Sequence, residues 1–558
     1  LQANYKSERP EKGGYAMKIK AIPQRKIGRE VKRLALLVAL FLTMLLPFLS
    51  PVLAEEGKSD QPELKVEGNK AVLSLKSLFI LALKSNLDIA VESYNPQLSA
   101  ENIVSAWAPF DTILKTQYKK DRSVSQTGTV LAGATELKQE NYTYDLSLTK
   151  KFLTGTETNF TYTMKESKSN ATFASFYPQY NTNWLLSLTQ PLLKDFGLKV
   201  QKSQIRIASL NKGISDEQFK QRVIDILNSV QTNYWNLFFF IKDLEAKERS
   251  LERAKDFLKN TKLRIQAGTL APIEVYQAEA EVATREQQVI VAKFAVKTSE
   301  DNLKKSLNIY EKEEYLNLEI VPVEEPKTNI EAPPFPETYK TAIEKRPDYI
   351  QVKTDIEAKN IQVKYTKNQL FPRLDIIASV GTSGLSGQPQ PLPEFMGGTG
   401  EATTSPYTGS AKDAFAHLDD GDFYTYTIGL KLEFPLENHS AKSQFSKAKI
   451  EAARSLTSLK NLETTIINEV KQAIRDVDTF KELIRATQAS LKSAQERYTA
   501  EQKKYDVGLS TIFDLLQYQS DLTTAESNYA QALSRYNQSL SNLAKVKGTL
   551  LEENDLTL

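Results

Sequence analysis

Two histidines, His417 and His439, and no cysteine leave this chain a narrow chemical repertoire. Without Cys there are no disulfides, thiolate metal sites, Cys nucleophiles or lipids attached through a thiol. Two His cannot build a His-rich metal centre. Residues 381–400 are rich in glycine, but Gly381-Thr-Ser-Gly384-Leu-Ser-Gly387 and Gly397-Gly398-Thr399-Gly400 do not fit a phosphate-binding loop that opens a helix. Carboxylates are numerous, yet no pair stands out as a catalytic dyad. Tyr234, Trp235 and Phe238, Phe239 and Phe240 form an aromatic cluster that reads as packing between helices rather than as a ligand site. No enzymatic activity, cofactor or metal is expected.

The chain has 558 residues, enough for two to four ordinary domains or one extended fold. Lys and Arg number 72 against 69 Asp and Glu, a net charge of +3. That balance is not the footprint of a nucleic-acid binder. The mean hydropathy of −0.41 taken alone suggests a soluble protein. The average hides an asymmetry. Ten basic residues, the last of them Arg33, precede an apolar run from Leu34 to Leu49 and then Pro51-Val52-Leu53-Ala54. This is the pattern of a signal peptide over 1–54, cut after Ala54, with Met17 as a candidate start and 1–16 upstream of it. An uncleaved anchor is the competing reading; Pro47 and Pro51 interrupt the run, which is barely long enough to span. Without 1–54 the chain has 62 basic and 66 acidic residues, a net charge of −4. After Leu49 no apolar run approaches a spanning helix, so an exported protein without a transmembrane helix is expected.

The elements that would position any site come from an internal repeat. Every seventh residue from Val223 (Val230, Leu237, Leu244, Leu251, Leu258, Ile265) is apolar. Gly268 follows, with Pro272 beyond it. The seven-residue spacing resumes at Val275, Val282, Val289, Val296, Leu303 and Tyr310. Shifted by 240 residues, the pattern recurs from Val470 to Tyr505, through Gly508, and from Leu515 to Leu550; only Glu463 breaks it. A seam held over five or six heptads means coiled coil. Each half is therefore two long antiparallel helices joined at a glycine turn, with a first helix of about 105 Å over 198–267. An amphipathic helix precedes each hairpin and stops at Pro109 or Pro372. The first repeat is expected over 55–320, a Pro-rich linker over 321–337, the second repeat over 338–550 and a short tail over 551–558.

After each of those prolines the period switches to two. Phe110 to Tyr118, Tyr142 to Leu148, Phe160 to Met164 and Trp184 to Leu188 alternate in the first half, and Leu374 to Val380 and Tyr424 to Phe434 in the second. One face is apolar and aromatic; the other is mostly Thr, Ser, Lys, Asp and Glu. A half-buried strand in a soluble sandwich alternates in the same way. However, the chain offers no second apolar layer for these strands to cover. Long polar connections at 119–141, 166–181 and 381–423 also contrast with a short turn at 150–157, the pattern of an outer-membrane barrel whose aromatic side faces lipid. Four to six strands cannot close alone, so closure needs other copies.

The order and spacing of several motifs resemble the TolC family of outer-membrane efflux channels. Leu186-Ser-Leu-Thr-Gln-Pro191 and Leu430-Lys-Leu-Glu-Phe-Pro435 look like its strand-to-helix junctions, and Tyr234-Trp235-Asn236-Leu237 like its first long-helix motif. Ala267-Gly268 through Pro272-Ile-Glu-Val-Tyr-Gln277 and Val507-Gly508 through Ile512-Phe-Asp-Leu-Leu-Gln517 look like its two helix tips. The resemblance implies a mainly α fold with a transmembrane β part. Duplicated coiled-coil hairpins would form a periplasmic α-barrel below an outer-membrane β-barrel, both shared by a homotrimer. It further implies a passive exit for a tripartite efflux pump or a type I secretion system, with tips that dock on a periplasmic adaptor serving an inner-membrane transporter, through Gly268, Thr269, Leu270, Gly508, Leu509 and Ser510. It places a pore entrance at Asp514 and Glu274, with Gln517, where the family carries a second acid, and Gln277. An acid there also suits the first turn of a helix.

The family usually supplies four strands per chain, whereas this chain offers six. Either the trimer closes a wider barrel of eighteen strands or 142–165 forms a hairpin outside the membrane. The apolar faces of Tyr142–Leu148 and Phe160–Met164 favour the wider barrel. A periplasmic coiled-coil adaptor or scaffold without a barrel is the alternative function. Strand pairs before each of two hairpins argue against it.

Overall fold

A computed structural model describes residues 66–67, 70–128, 135–309, 318–391 and 404–557. The expected leader over 1–54, Met17 and Tyr310 lie outside them.

A short pair, β1 (Val66–Glu67) and β2 (Lys70–Leu73), opens the described chain. Helix α1 (Leu75–Ser85) is capped by Ser74, whose hydroxyl accepts from the Ser77 amide, and buries Leu78, Phe79, Leu81 and Ala82. Asn86 caps α2 (Leu87–Trp107) by accepting from the Ile89 amide at 3.0 Å. Four strands follow: β3 (Thr112–Gln126), β4 (Glu136–Lys151), β5 (Glu157–Ser169) and β6 (Phe176–Pro191). A single turn, α3 (Leu198–Gln201), leads into α4 (Ser203–Gln266), which returns as α5 (Glu274–Leu307). The second repeat enters through β7 (Glu319–Pro322), α6 (Phe335–Lys345), α7 (Pro347–Asn368) and β8 (Arg373–Pro389). Helix α8 (Ala411–Asp420), strand β9 (Tyr424–Glu433), the hairpin α9 (His439–Asp506) and α10 (Ile512–Lys547), and the last turn α11 (Leu550–Glu553) complete the chain.

The period-two segments form one antiparallel sheet in the order β3-β4-β5-β6-β8-β9. All six expected strands pair in unbroken succession, and the sheet is open, with β3 and β9 at its edges. The heptad seams form the core of both hairpins: Val223, Val230 and Leu237 are fully buried, as are Val470, Val477 and Tyr536. Glu463, which breaks the second seam, accepts from the Tyr349 phenol at 3.3 Å instead of facing apolar neighbours.

The Pro-rich stretch is more structured than its composition suggests. β7 pairs in parallel with β2. Beyond it the chain is pinned across helices of both repeats. The Glu324 amide donates to the Tyr234 phenol at 2.9 Å. The Tyr536 hydroxyl accepts from the Ile330 amide at 2.8 Å and donates to its carbonyl at 2.7 Å. Asn537 bonds both the amide and the carbonyl of Lys327. A segment without side-chain periodicity thus becomes a strap whose backbone groups are satisfied by buried side chains.

Helix α8 lies inside the expected polar loop 381–423. The glycine run explains how it seats. A Cβ at Gly384 would sit 2.1 Å from the Ala414 carbonyl oxygen, so only glycine admits the helix this close. Thr182, Ser386 and Thr382 donate their hydroxyls to the carbonyls of Ala414, Ser410 and Leu418, and His417 Nδ1 lies 2.8 Å from the Leu385 carbonyl.

Candidate functional site: the helix tips

Both long hairpins turn on a left-handed glycine. Gly268 has φ +76° and Gly508 φ +82°. A Cβ at either would meet nothing within 4 Å, so the backbone conformation, not space, asks for glycine. The amide of Thr269 bonds the Arg264 carbonyl and that of Leu509 bonds the Lys504 carbonyl, both at 2.9 Å, closing each helix in the same way.

Past the glycines the tips differ. Thr511 caps α10: its hydroxyl accepts from the Asp514 amide at 3.2 Å and donates to the Asp514 carboxylate at 2.6 Å. At the equivalent place in the first tip stands Ala271, and α5 begins through short turns, Glu274 amide to Ala271 carbonyl and Tyr276 amide to Ile273 carbonyl. Ser510 donates to the little-exposed Glu501, which also pairs with Lys504 at 3.1 Å. These donors, Ser510 first, hold the Glu501 carboxyl below the usual carboxylate range. The first tip has Leu270 and Thr261 at those positions, and Thr261 instead donates to the Phe257 carbonyl.

The two tips are tied together. Arg264 of α4 pairs with Asp506 of α9 at 3.1 Å and lies over the Tyr505 ring, while Phe257 and Tyr505 rings are 5.4 Å apart. Farther up, Arg249 pairs with Glu526, Ser527 donates to Asp243, and Gln519 donates to the Ser250 carbonyl.

Each sequence-derived residue can now be placed. Gly268, Thr269, Gly508 and Leu509 are exposed at the turns, and Leu270 and Ser510 are half-buried beside them. Asp514 and Gln517 are exposed on the first turns of α10; Asp514 serves as capping partner, and Gln517 donates to Asp521 at 2.9 Å. Glu274, half-buried, opens α5, and Gln277 is exposed one turn later. Pro191 is buried as the last residue of β6; Pro435 is exposed just past β9. The Glu501–Ser510 brace and the Arg264–Asp506 pair were not anticipated, although Ser510 and Arg264 both flank a recognised turn. Large apolar side chains project from both tips: Ile273 and Tyr276 from the first, Val507, Leu509 and Phe513 from the second, each about two-thirds exposed or more.

Comparison with known proteins agrees with this architecture. Residues 130–308 and 338–549 match the family described as Outer membrane efflux protein. The chain is 23% identical over 393 residues to the outer membrane protein TolC of Escherichia coli strain K12, covering 70% of this chain and 72% of that protein. A membrane protein from Pseudomonas aeruginosa has the same fold, with a TM-score of 0.61 at 16% identity over 85% of this chain and 93% of that one. The CmeC outer membrane channel of Campylobacter jejuni superposes with a TM-score of 0.59 at 16% identity, covering 87% and 90%. With the family matched across both repeats, the chain belongs to the outer membrane efflux protein family, a channel of the outer membrane that serves efflux.

Proposed function

We propose that three copies of this chain form a passive exit duct, whose helix tips dock on a periplasmic adaptor that brings the substrate of an inner-membrane transporter. The observation that carries this reading is the apolar crown of the tips. Leu509 and Phe513 project from the turn that closes α9, a helix about 100 Å long, at its far end from the sheet. Exposed apolar side chains clustered at one extremity mark a protein-binding surface. Gly268, Thr269, Leu270, Gly508, Leu509 and Ser510 form the docking turns. Energy would come from the transporter. The family relationship and the six-stranded sheet leave the adaptor or scaffold alternative without support.

Asp514, with Glu274, Gln277 and Gln517, would line the entrance. Three Asp514 carboxylates around an axis act on ions within about one Debye length, 8–10 Å. The carboxylate can cap α10 and face the entrance together, because capping engages one oxygen. Bilayer conductance tests this: Asp514→Ala should lower cation selectivity, and unchanged selectivity would leave capping as its whole role. Leu509→Asp should abolish co-purification with the adaptor while leaving the channel assembled; retained binding would remove the tips from the interface.

A further inference from the structure

The first repeat carries a strand hairpin beyond the family's usual four strands, and its setting shows what it builds. We propose that β4 and β5 belong to the membrane-spanning wall, and that three copies close an eighteen-stranded barrel by pairing β3 of one copy with β9 of the next. The count of three rests on the trimeric reading above; the placement of the hairpin does not.

Four observations carry the placement. First, the register runs from β3 to β9 with a single irregularity between Phe176 and Gln179 at the start of β6, so below it side chains of one parity form continuous rows. Leu114, Leu148, Phe160, Leu186, Val380 and Tyr426 share one row across all six strands. The apolar face of the hairpin is therefore the face it shares with β6, β8 and β9, and α8 rests on the upper part of that face against Thr182, Gly384 and Tyr162.

Second, the opposite face of the hairpin is a hydroxyl and amide ladder. Ser147 and Thr149 both donate to the Asn159 side-chain oxygen at 3.1 Å, Thr163 to Asp145 at 2.7 Å and Ser167 to Asn141 at 2.9 Å. A hairpin standing in water on both sides has no reason to segregate its faces; a barrel wall does.

Third, the lipid-side rows end as a membrane surface would end them. Above Leu146 and Tyr162 the row holds Tyr118 and Tyr144, with ring centroids 4.9 Å apart. The next rows are charged: Lys120 pairs with Glu140 and Lys168 with Glu166, each at 2.8 Å, and both ammonium groups lie over the Tyr142 ring. Aromatic then charged is the succession at a bilayer interface.

Fourth, the other end of the hairpin is fixed at the strand-to-helix junction. Gly155, with φ +93°, lies so close to the Asp195 carbonyl that a Cβ would be 2.7 Å away. Thr156 donates to Gln190, and Lys150 donates to the Phe110 carbonyl at 2.7 Å. The turn thus sits at the level where β6 leaves the sheet, and the hairpin cannot swing outward.

Strands β3 and β9 each keep one unpaired edge over 15 and 10 residues, and open edges do not persist in lipid. Eighteen strands spaced about 4.8 Å apart and tilted by about 40° enclose roughly 35 Å between opposite backbones, against about 24 Å for twelve. The outlet would be wide and lined with hydroxyls and amides, leaving the tips as the narrow point.

The absence of native Cys makes the test clean. Single-Cys variants Leu146→Cys, Phe160→Cys, Ser147→Cys and Thr161→Cys are spin-labelled in the full-length protein in lipid nanodiscs. Positions 146 and 160 should collide severalfold more with lipid-dissolved oxygen than with a water-soluble nickel chelate. Positions 147 and 161 should show the reverse. A preference for the chelate at all four overturns the wall placement, and two positions per face guard against one misfolded variant. Native mass spectrometry of the same samples counts chains: three supports eighteen strands, and any other number overturns that count and the trimer while leaving the labelling result standing. Cys pairs joining Gln117 to Thr425, Thr427 or Gly429 should give a disulfide-linked trimer in one register; failure in every register overturns β3–β9 closure.

Discussion

The two repeats share a scaffold and differ at both ends of it. Their seams superimpose at an offset of 240 residues, Leu303 on Leu543 and Val296 on Tyr536, and both are buried. At the sheet end the first repeat adds a hairpin and the second adds α8. At the tip the second repeat has a Thr511 cap and a Glu501–Ser510 brace, where the first has Ala271 and Leu270. Duplication preserved what packing requires, because a buried heptad position tolerates only side chains that fill it. The turns and the outer connections face fewer neighbours and diverged. With these added side-chain bonds the second tip should be the stiffer of the two.

The largest expected effect tests the shared part. Leu303→Ala and Leu543→Ala should each cost about 2–5 kcal/mol in denaturant unfolding. A large cost at one and a small cost at the other would show that the seams are not equivalent.

Next come the strap tyrosines. Tyr536 makes two bonds to Ile330 and Tyr234 one to Glu324, so Tyr536→Phe should lose more stability than Tyr234→Phe, each on the order of 1–2 kcal/mol. Burial pushes the Tyr234 phenol up to about 12. A raised phenol favours the folded state below its ordinary value near 10, and that contribution is lost as pH climbs towards 12. Tyr234→Phe should remove this alkaline loss from unfolding curves recorded between those limits.

The smallest effects separate the tips. Thr511→Ala should cost about 1 kcal/mol, read as faster amide exchange at the start of α10, and Ala271→Thr should slow exchange at the start of α5. The depressed Glu501 carboxyl stabilises the second tip above the ordinary carboxylate range and loses that contribution as pH falls through its lowered value. Acid should therefore loosen the second tip alone, and Ser510→Ala should move that loosening to higher pH. Equal loosening of both tips would refute the difference in stiffness.

What could be read in the residues follows the same division. Val223 to Ile265 and Val470 to Tyr505 announce their helices because burial repeats every seven residues. Tyr142 to Leu148 announces a strand because apolar side chains recur every two, on a face left exposed at Tyr144 and Leu146. The strap escapes such reading: it has five prolines and no period, and its partners Tyr234 and Tyr536 lie 90 and 206 residues away. Helix α8 had a local signal, Ser410 and Asp413 as a capping box, obscured by the glycine-rich stretch before it. The Glu501–Ser510 brace crosses a turn, and no periodicity reports a contact made nine residues apart.

The strap also sets a mechanical ratio. It grips α4 at Tyr234 and α10 at Tyr536, whereas the tip turn lies 34 residues beyond Tyr234 at Gly268. At 1.5 Å per residue that arm is about 51 Å long. A tilt of about 5° at the strap would carry the tip roughly 4 Å sideways. The belt is then a fulcrum, and the length of the arm turns a small rotation at the strap into a larger displacement of the tip.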